Sequence, residues 1–164
     1  MRAIVNADRN WGVGFKNRLL VHIPSDMRFF REKTTGNVVV MGRKTLESLP
    51  QGRPLADRDN IILSRDPSLK VKGAAVAHSV EELLQLLADV DTDRVYVIGG
   101  EEIYRLLLPY CDTAYVTRVD YAYQADAFFP DLDKMPEWEL AEESEEQTCH
   151  DMEFTFRTYK RKNV

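Results

Sequence analysis

The chain has 164 residues, 44% of them hydrophobic and 30% charged, a balance that fits a folded globular protein and excludes a disordered or fibrous one. Its 22 basic and 27 acidic residues give a net charge of −5, which argues against a nucleic-acid surface. No stretch has the apolar length of a signal sequence or a membrane span.

Ala3-Ile4-Val5 reads as a first buried strand. The loop from Asp8 to His22 is long for its place between a strand and a helix, and it carries Gly12-Val13-Gly14. Long loops in compact domains are often lids. A helix is predicted over 24–34, opened by Pro24 in its first turn, where a missing N–H costs nothing. Val38-Val39-Val40-Met41 gives a second buried strand, followed by a helical pattern over 44–49. Strands at 60–63 and 74–77 follow, and then Ser79-Val80-Glu81-Glu82 supplies a capping-box start for a helix over 80–88. Val95 to Ile98 is a strand, 101–108 is a helix stopped by Pro109, and Ala114 to Thr117 is a sixth strand. The acids between Glu137 and Glu146 read as a solvated strand pair with its loop. Glu153 to Tyr159 alternates polar and aromatic residues, as an antiparallel strand covered on one face would.

These elements predict one α/β domain over 1–164. Its mixed sheet has about eight strands, mostly parallel with an antiparallel C-terminal strand, flanked by about four helices. Cys111 and Cys149 show no CxxC spacing, and His22, His78 and His150 show no ligand spacing. Neither a disulfide framework nor a metal site is expected, and a reducing cytoplasm is the default setting.

Helical spacing puts Ile23, Asp26, Met27 and Phe30 on one face, with Arg28 and Arg31 turned away. An acid held against apolar side chains is poorly hydrated, so its proton affinity should rise. Such a group can hold a protonatable ring in an apolar cleft. An acid in a first helical turn can also cap free N–H groups and complement the macrodipole, so this segment alone leaves both readings open.

Two strand-to-helix turns are suited to phosphate. At Met41-Gly42-Arg43-Lys44-Thr45 a glycine turn brings two cations and a hydroxyl to a helix start, and Ile98-Gly99-Gly100-Glu101 offers bare backbone. Each is weak alone, because glycine turns are common at such junctions. Together they suggest a dinucleotide laid across the strand ends, although no GxGxxG fingerprint is present. Arg65, with Arg43 and His78, could clamp an extra phosphate, which would favour NADP over NAD. A solvated surface charge is the plain alternative for Arg65.

Asp8 through Asp26, Met41 to Thr45, Arg53-Pro54-Leu55, Arg58 to Ser64, Val97 to Gly100 and Asp126-Ala127-Phe128-Phe129-Pro130 occur in order at compatible distances. This ordered set resembles dihydrofolate reductase over essentially the whole chain. The resemblance implies NADPH-dependent reduction of 7,8-dihydrofolate to tetrahydrofolate, with hydride passing to C6 and a proton to N5. Asp26 then matches the ionisable residue that bonds the pterin, and Thr117 the hydroxyl that supports it. Ile4 and Ile98 would offer carbonyls to the pterin edge beside Val5, and Met27, Phe30 and Leu49 would line the pocket. Arg58 would pair with the glutamate carboxylate of the substrate.

On the cofactor side the resemblance places Asn6, Val13 and Leu19 around the nicotinamide. Gly42, Arg43, Lys44, Thr45, Leu63, Ser64, Arg65, His78, Gly99, Gly100, Glu101, Glu102, Ile103 and Tyr104 would line the dinucleotide trough. Gly99-Gly100 matches a pair joined by a cis peptide. The implied partners are dihydrofolate and antifolate inhibitors, with no nucleic acid or membrane, and a monomer is expected. Four positions depart from the usual pattern: Leu20-Val21 replaces Pro-Trp, Asn6 replaces alanine, and His78 replaces lysine. Rival readings are a related pyrimidine or pteridine reductase and a non-catalytic nucleotide-binding module. The pairing of Asp26 with Arg58 favours folate over the first, and substrate-dependent loss of NADPH absorbance separates the second.

Overall fold

A run such as Val38-Val39-Val40-Met41 has no polar face to give to water, so it is stable only where both sides are covered. The computed structural model, which describes residues 1–162, places it at the centre of a sheet with helices above and below. In chain order the elements are β1 (Arg2–Ala7), β2 (Gly12–Gly14), α1 (Pro24–Thr34), β3 (Val38–Gly42) and α2 (Arg43–Ser48). Next come β4 (Asp59–Leu63), β5 (Ala74–Ala77), α3 (Val80–Leu86), β6 (Val95–Gly99), α4 (Glu101–Leu107) and β7 (Thr113–Val119). The chain continues through β8 (Ala127–Phe128), β9 (Trp138–Glu143), β10 (Gln147–Cys149) and β11 (Met152–Arg161).

The main sheet is eight strands wide in the order β10-β11-β7-β1-β6-β3-β4-β5, and β9 pairs beside β10 on the outer edge of β11. From β7 to β5 all pairings are parallel, whereas β11 joins β7 antiparallel. This is the predicted mixed sheet with its antiparallel C-terminal end and four helices.

Strand alternation sorts the side chains into two cores. Ala3, Val5, Ala7, Val40 and Val97 pack with Leu83 of α3 and with Ile103, Tyr104 and Leu107 of α4. Ile4, Val39, Met41 and Tyr96 face the other way, against Phe29 and Phe30 of α1 and Leu46 of α2. Helices α1 and α2 therefore share one face of the sheet, and that face carries the even-numbered positions of β1.

The C-terminal region departs from expectation in two places. On β11, Phe154 and Phe156 lie together on one side, but Tyr159 is buried in the opposite core and packs on Trp11. Both faces of that strand are thus covered. The acidic strand pair is present, with β9 exposed at every position after Trp138, but β9 and β10 each pair with β11 rather than with each other.

Helix α3 begins where the capping pattern put it. Ser79 Oγ accepts the Glu82 backbone N–H at 3.1 Å, and the Glu82 carboxylate accepts the His78 backbone N–H at 2.7 Å. Ser79→Ala should cost about 1 kcal/mol of stability, the usual value of an N-cap hydroxyl. Equilibrium urea unfolding checks this, and an unchanged midpoint would show that the cap contributes nothing.

Candidate functional site

Ile23 is buried at the start of α1, and Pro24 fixes the first turn, so the third helical residue, Asp26, is aimed at the sheet. The helix has no side-chain cap bond at Ile23. Asp26 instead accepts hydrogen bonds from across the interface. Asn6 Nδ2 donates to one carboxylate oxygen at 2.9 Å, and the Thr117 hydroxyl donates to the other. The capping reading of Asp26 is therefore replaced by a tertiary one. Burial raises the acid's pKa above its ordinary value, and the donors Thr117 and Asn6 pull it partly back.

Phe30, Leu49 and Ile98 join the core on the α1 side. Met27 does not pack with them; it is 53% exposed at the rim, and Phe29 supplies the contact with Tyr115 and Phe156 instead. Val5 lines the cleft beside Asn6 while its side chain packs in the opposite core. The Ile4 carbonyl accepts the Tyr104 hydroxyl at 2.8 Å, which ties α4 to β1 beneath the site. Burial pushes the Tyr104 phenol well above its ordinary pKa, and the charge of Asp26 adds to that.

Arg58 lies at the far end of α1. Its guanidinium donates to the Ala56 carbonyl at 2.9 Å and to the Thr34 hydroxyl at 3.4 Å. Partial burial and the neighbouring charge of Arg31 lower its pKa, while Asp57 raises it. Thr34 is eight positions after Asp26, or about 12 Å along a helix. An acid at one end and a cation at the other suit a ligand with a basic ring and a carboxylate tail.

The carboxyl ends of β3, β4, β5 and β6 lie side by side. Gly42 is needed because a Cβ there would stand 2.9 Å from Ile103 Cγ1. Gly99 has φ +121 and faces the Tyr104 ring, and its peptide bond to Gly100 is cis. Gly100 faces Thr45 across this edge, where a Cβ would come 3.5 Å from the hydroxyl. Further along, Ser64 and His78 meet at the ends of β4 and β5, with His78 Nδ1 3.0 Å from the Ser64 carbonyl. A carbonyl only accepts, so Nδ1 carries the proton in this contact. Arg43 pairs with Glu47 and Asp66, and Arg65 with Glu102, all at exposed positions. Such surface pairs are weak and can be exchanged for a phosphate. Leu63 and Ile103 are buried supports, and Lys44 and Glu102 are exposed.

A cleft of about 140 Å³ opens over these glycines, walled by Asn6, Val13, Leu19, Thr45, Glu101 and Tyr104 among others. A larger hollow of about 390 Å³ lies elsewhere, between α1 and β11. Its Lys33 is already stacked over Tyr115, and its Arg157 is bound to Glu143. The smaller cleft is the one beside the unusual backbone. Among the described residues, no group of His, Cys, Asp and Glu could hold a metal ion, and no helix could cross a membrane.

The lid is more structured than its loop-like sequence suggests. Strand β2 pairs with β8, Asp126 N–H donates to the Gly14 carbonyl, and its carboxylate accepts the Lys16 N–H. Asn17 Nδ2 reaches the Lys44 carbonyl at 2.9 Å, closing the lid over the trough. Asp8, at the start of this loop, organises its base. It is 2% exposed and accepts the N–H groups of Asn10, Gly12 and Tyr123. An aspartate four residues ahead of a glycine after a strand is the available signal, since Asp readily bonds backbone two residues on.

The family model for dihydrofolate reductase matches residues 1–161. The dihydrofolate reductase of Bacillus subtilis is 33% identical over 158 residues, covering 95% of this chain and 91% of that protein. That of Staphylococcus haemolyticus is 38% identical over 127 residues, 77% of this chain and 74% of that one. A solved structure of dihydrofolate reductase from Enterococcus faecalis, complexed with NADP(H) and RAB-propyl, matches with a TM-score of 0.85 at 34% identity. It covers 99% of this chain and 96% of its own.

Because the folded pKa of Asp26 is raised, the native state holds this proton more tightly than the unfolded chain does. Ionisation therefore subtracts stability as pH rises from the ordinary carboxylate value of 3.8 through the raised one. Asp26→Asn keeps the shape without the charge. It should melt at a higher temperature than the parent near neutral pH, with the gap closing below the ordinary carboxylate range. A melting series against pH checks this, and a variant that melts lower near neutrality would contradict it.

Proposed function

The chain belongs to the dihydrofolate reductase family, and from that premise we propose that it reduces 7,8-dihydrofolate to tetrahydrofolate with NADPH as cofactor. The observation that carries the reading is the Asp26 carboxylate, held at both oxygens beside a cleft walled by Gly99 and Gly100.

When bound along the strand ends, NADPH supplies the hydride that C6 of the pterin receives. The rest is orientation and electrostatics from the chain itself. Asp26 accepts from the ring N–H and 2-amino group of the pterin, and its charge favours a proton at N5. Thr117 holds the carboxylate in place. Leu19, 54% exposed on the lid, controls the water that delivers this proton. Phe30 and Leu49 cover the ring and benzoyl portion, and Arg58 pairs with the glutamate carboxylate. Arg43, Ser64, Arg65 and His78 would hold the 2′-phosphate of the cofactor, and the glycine turns would take its pyrophosphate. The free Cys111 and Cys149 suit a reducing cytoplasm, and a monomer is proposed. Antifolates would occupy the pterin position.

Mixing protein, NADPH and dihydrofolate should give a substrate-dependent fall in NADPH absorbance. Asp26→Asn should cut turnover by about a hundredfold or more, a general acid–base scale, with little change in NADPH affinity. Equal losses in both would assign Asp26 to folding instead. Replacing Arg43 and Arg65 together with alanine should narrow the preference for NADPH over NADH in kcat/KM. Equal losses with both cofactors would remove these arginines from 2′-phosphate recognition.

A further inference from the structure

The resemblance placed Asn6 beside the nicotinamide, but the structure gives its side chain a different partner. Asn6 sits on β1 directly opposite Thr117 on β7 in parallel register. Register partners on parallel strands point to the same face, less than 5 Å apart. Both side chains rise towards α1, and each donates to a different oxygen of Asp26. Two neighbouring donors thus match the two acceptors of one carboxylate. Thr117 alone would leave the second oxygen free to turn.

We propose that Asn6 is a positioning residue of the reduction site, fixing the plane of the Asp26 carboxylate and favouring its ionised form. This rests on the reading of Asp26 as the pterin-binding acid. The physical reason is that an amide N–H donates better to a charged oxygen than to a neutral carboxyl group. Other groups around Asp26 do not duplicate the effect. Thr117 of β7 is a second donor, Tyr104 of α4 is a buried phenol committed to the Ile4 carbonyl, and Arg28 and Arg31 of α1 are exposed. No cation contributes to the acid strength of Asp26, which is set by burial, Thr117 and Asn6.

Asn6→Ala removes the donor, and Asn6→Asp keeps the shape while replacing the donor with a second carboxyl group. Two readouts follow the acid: the ¹³C carboxyl signal of Asp26 in ligand-free protein, and the pH profile of hydride transfer with NADPH and dihydrofolate. In Asn6→Ala both midpoints should rise, by on the order of one pH unit. They should rise further in Asn6→Asp, where two carboxyls share a site. A general loss of folding would lower the melting temperature without moving a midpoint. Unmoved midpoints in both variants overturn the proposal, and so does a loss of NADPH affinity without a midpoint shift. Asp26→Asn separates this from the parent reading. If the profile keeps its midpoint in that variant, the role of Asp26 itself fails. If it loses the midpoint while the Asn6 variants match the parent, only the assignment of Asn6 fails.

Discussion

A carboxylate placed over a parallel sheet has lost most of its water, and the sheet has to replace it. Here Asn6 and Thr117 do so from adjacent strands, and Asp26 reaches them because Pro24 and buried Ile23 fix the direction in which α1 starts. Hydrogen bonds to a charged group contribute about 1.5–3 kcal/mol each, the same order as the cost of partial burial. The result is an acid whose pKa is raised and whose geometry is nonetheless held. That combination serves a ligand whose own proton affinity must be raised. A fully hydrated aspartate would be screened, and a fully buried one without donors would simply be neutral at working pH.

The cofactor edge obeys a different constraint. Its backbone is tightly specified, with a Cβ excluded at Gly42 and Gly99, but its cations are loosely held in exposed pairs. Rigid backbone beside exchangeable charge suits an anion that arrives and leaves in each cycle. Ser79 and Glu82 belong to this logic, because their capping bonds fix the His78 backbone at the end of β5. A helix cap at Ser79, well separated in sequence from Ser64 and Arg65, therefore helps to shape the phosphate end.

Most of the architecture was legible in the sequence because the valine-rich runs are apolar on both faces and only a two-sided sheet satisfies them. Six strands of the main sheet could be placed in this way, the four helices by their start and stop signals, and β11 by its alternation. The short strands β2 and β8 could not, since two or three residues carry no period and their pairing depends on Asp8 and Asp126 bonding distant backbone. Residue type and position pointed to Asp26 and the paired glycines, whereas Thr117 and Arg58 were singled out only through the family resemblance. The role of Asn6 was not legible. Nothing local indicates that position 6 lies opposite position 117, because strand register between distant segments is a tertiary property. Met27 and Val5 show a related point. Helical spacing alone cannot say which residue meets a sheet and which stands at a rim, and strand alternation puts the Val5 side chain in the far core while Val5 still lines the cleft.

Helix α1 acts as a ruler as well as a wall. Its first turn carries Asp26 and its last turn carries Thr34, which supports the guanidinium of Arg58. The 11 residues of the helix fix the spacing of Asp26 and Thr34, because an α-helix rises by a fixed amount per residue. A ligand spanning them needs a basic ring and a carboxylate at a set separation, with an apolar midsection for Phe30 and Leu49 to cover. A pterin alone would meet only the Asp26 end and forgo the cation. On the proposed reading, the length of one helix would thus favour a conjugate that carries its own acid, independently of the chemistry at the nicotinamide.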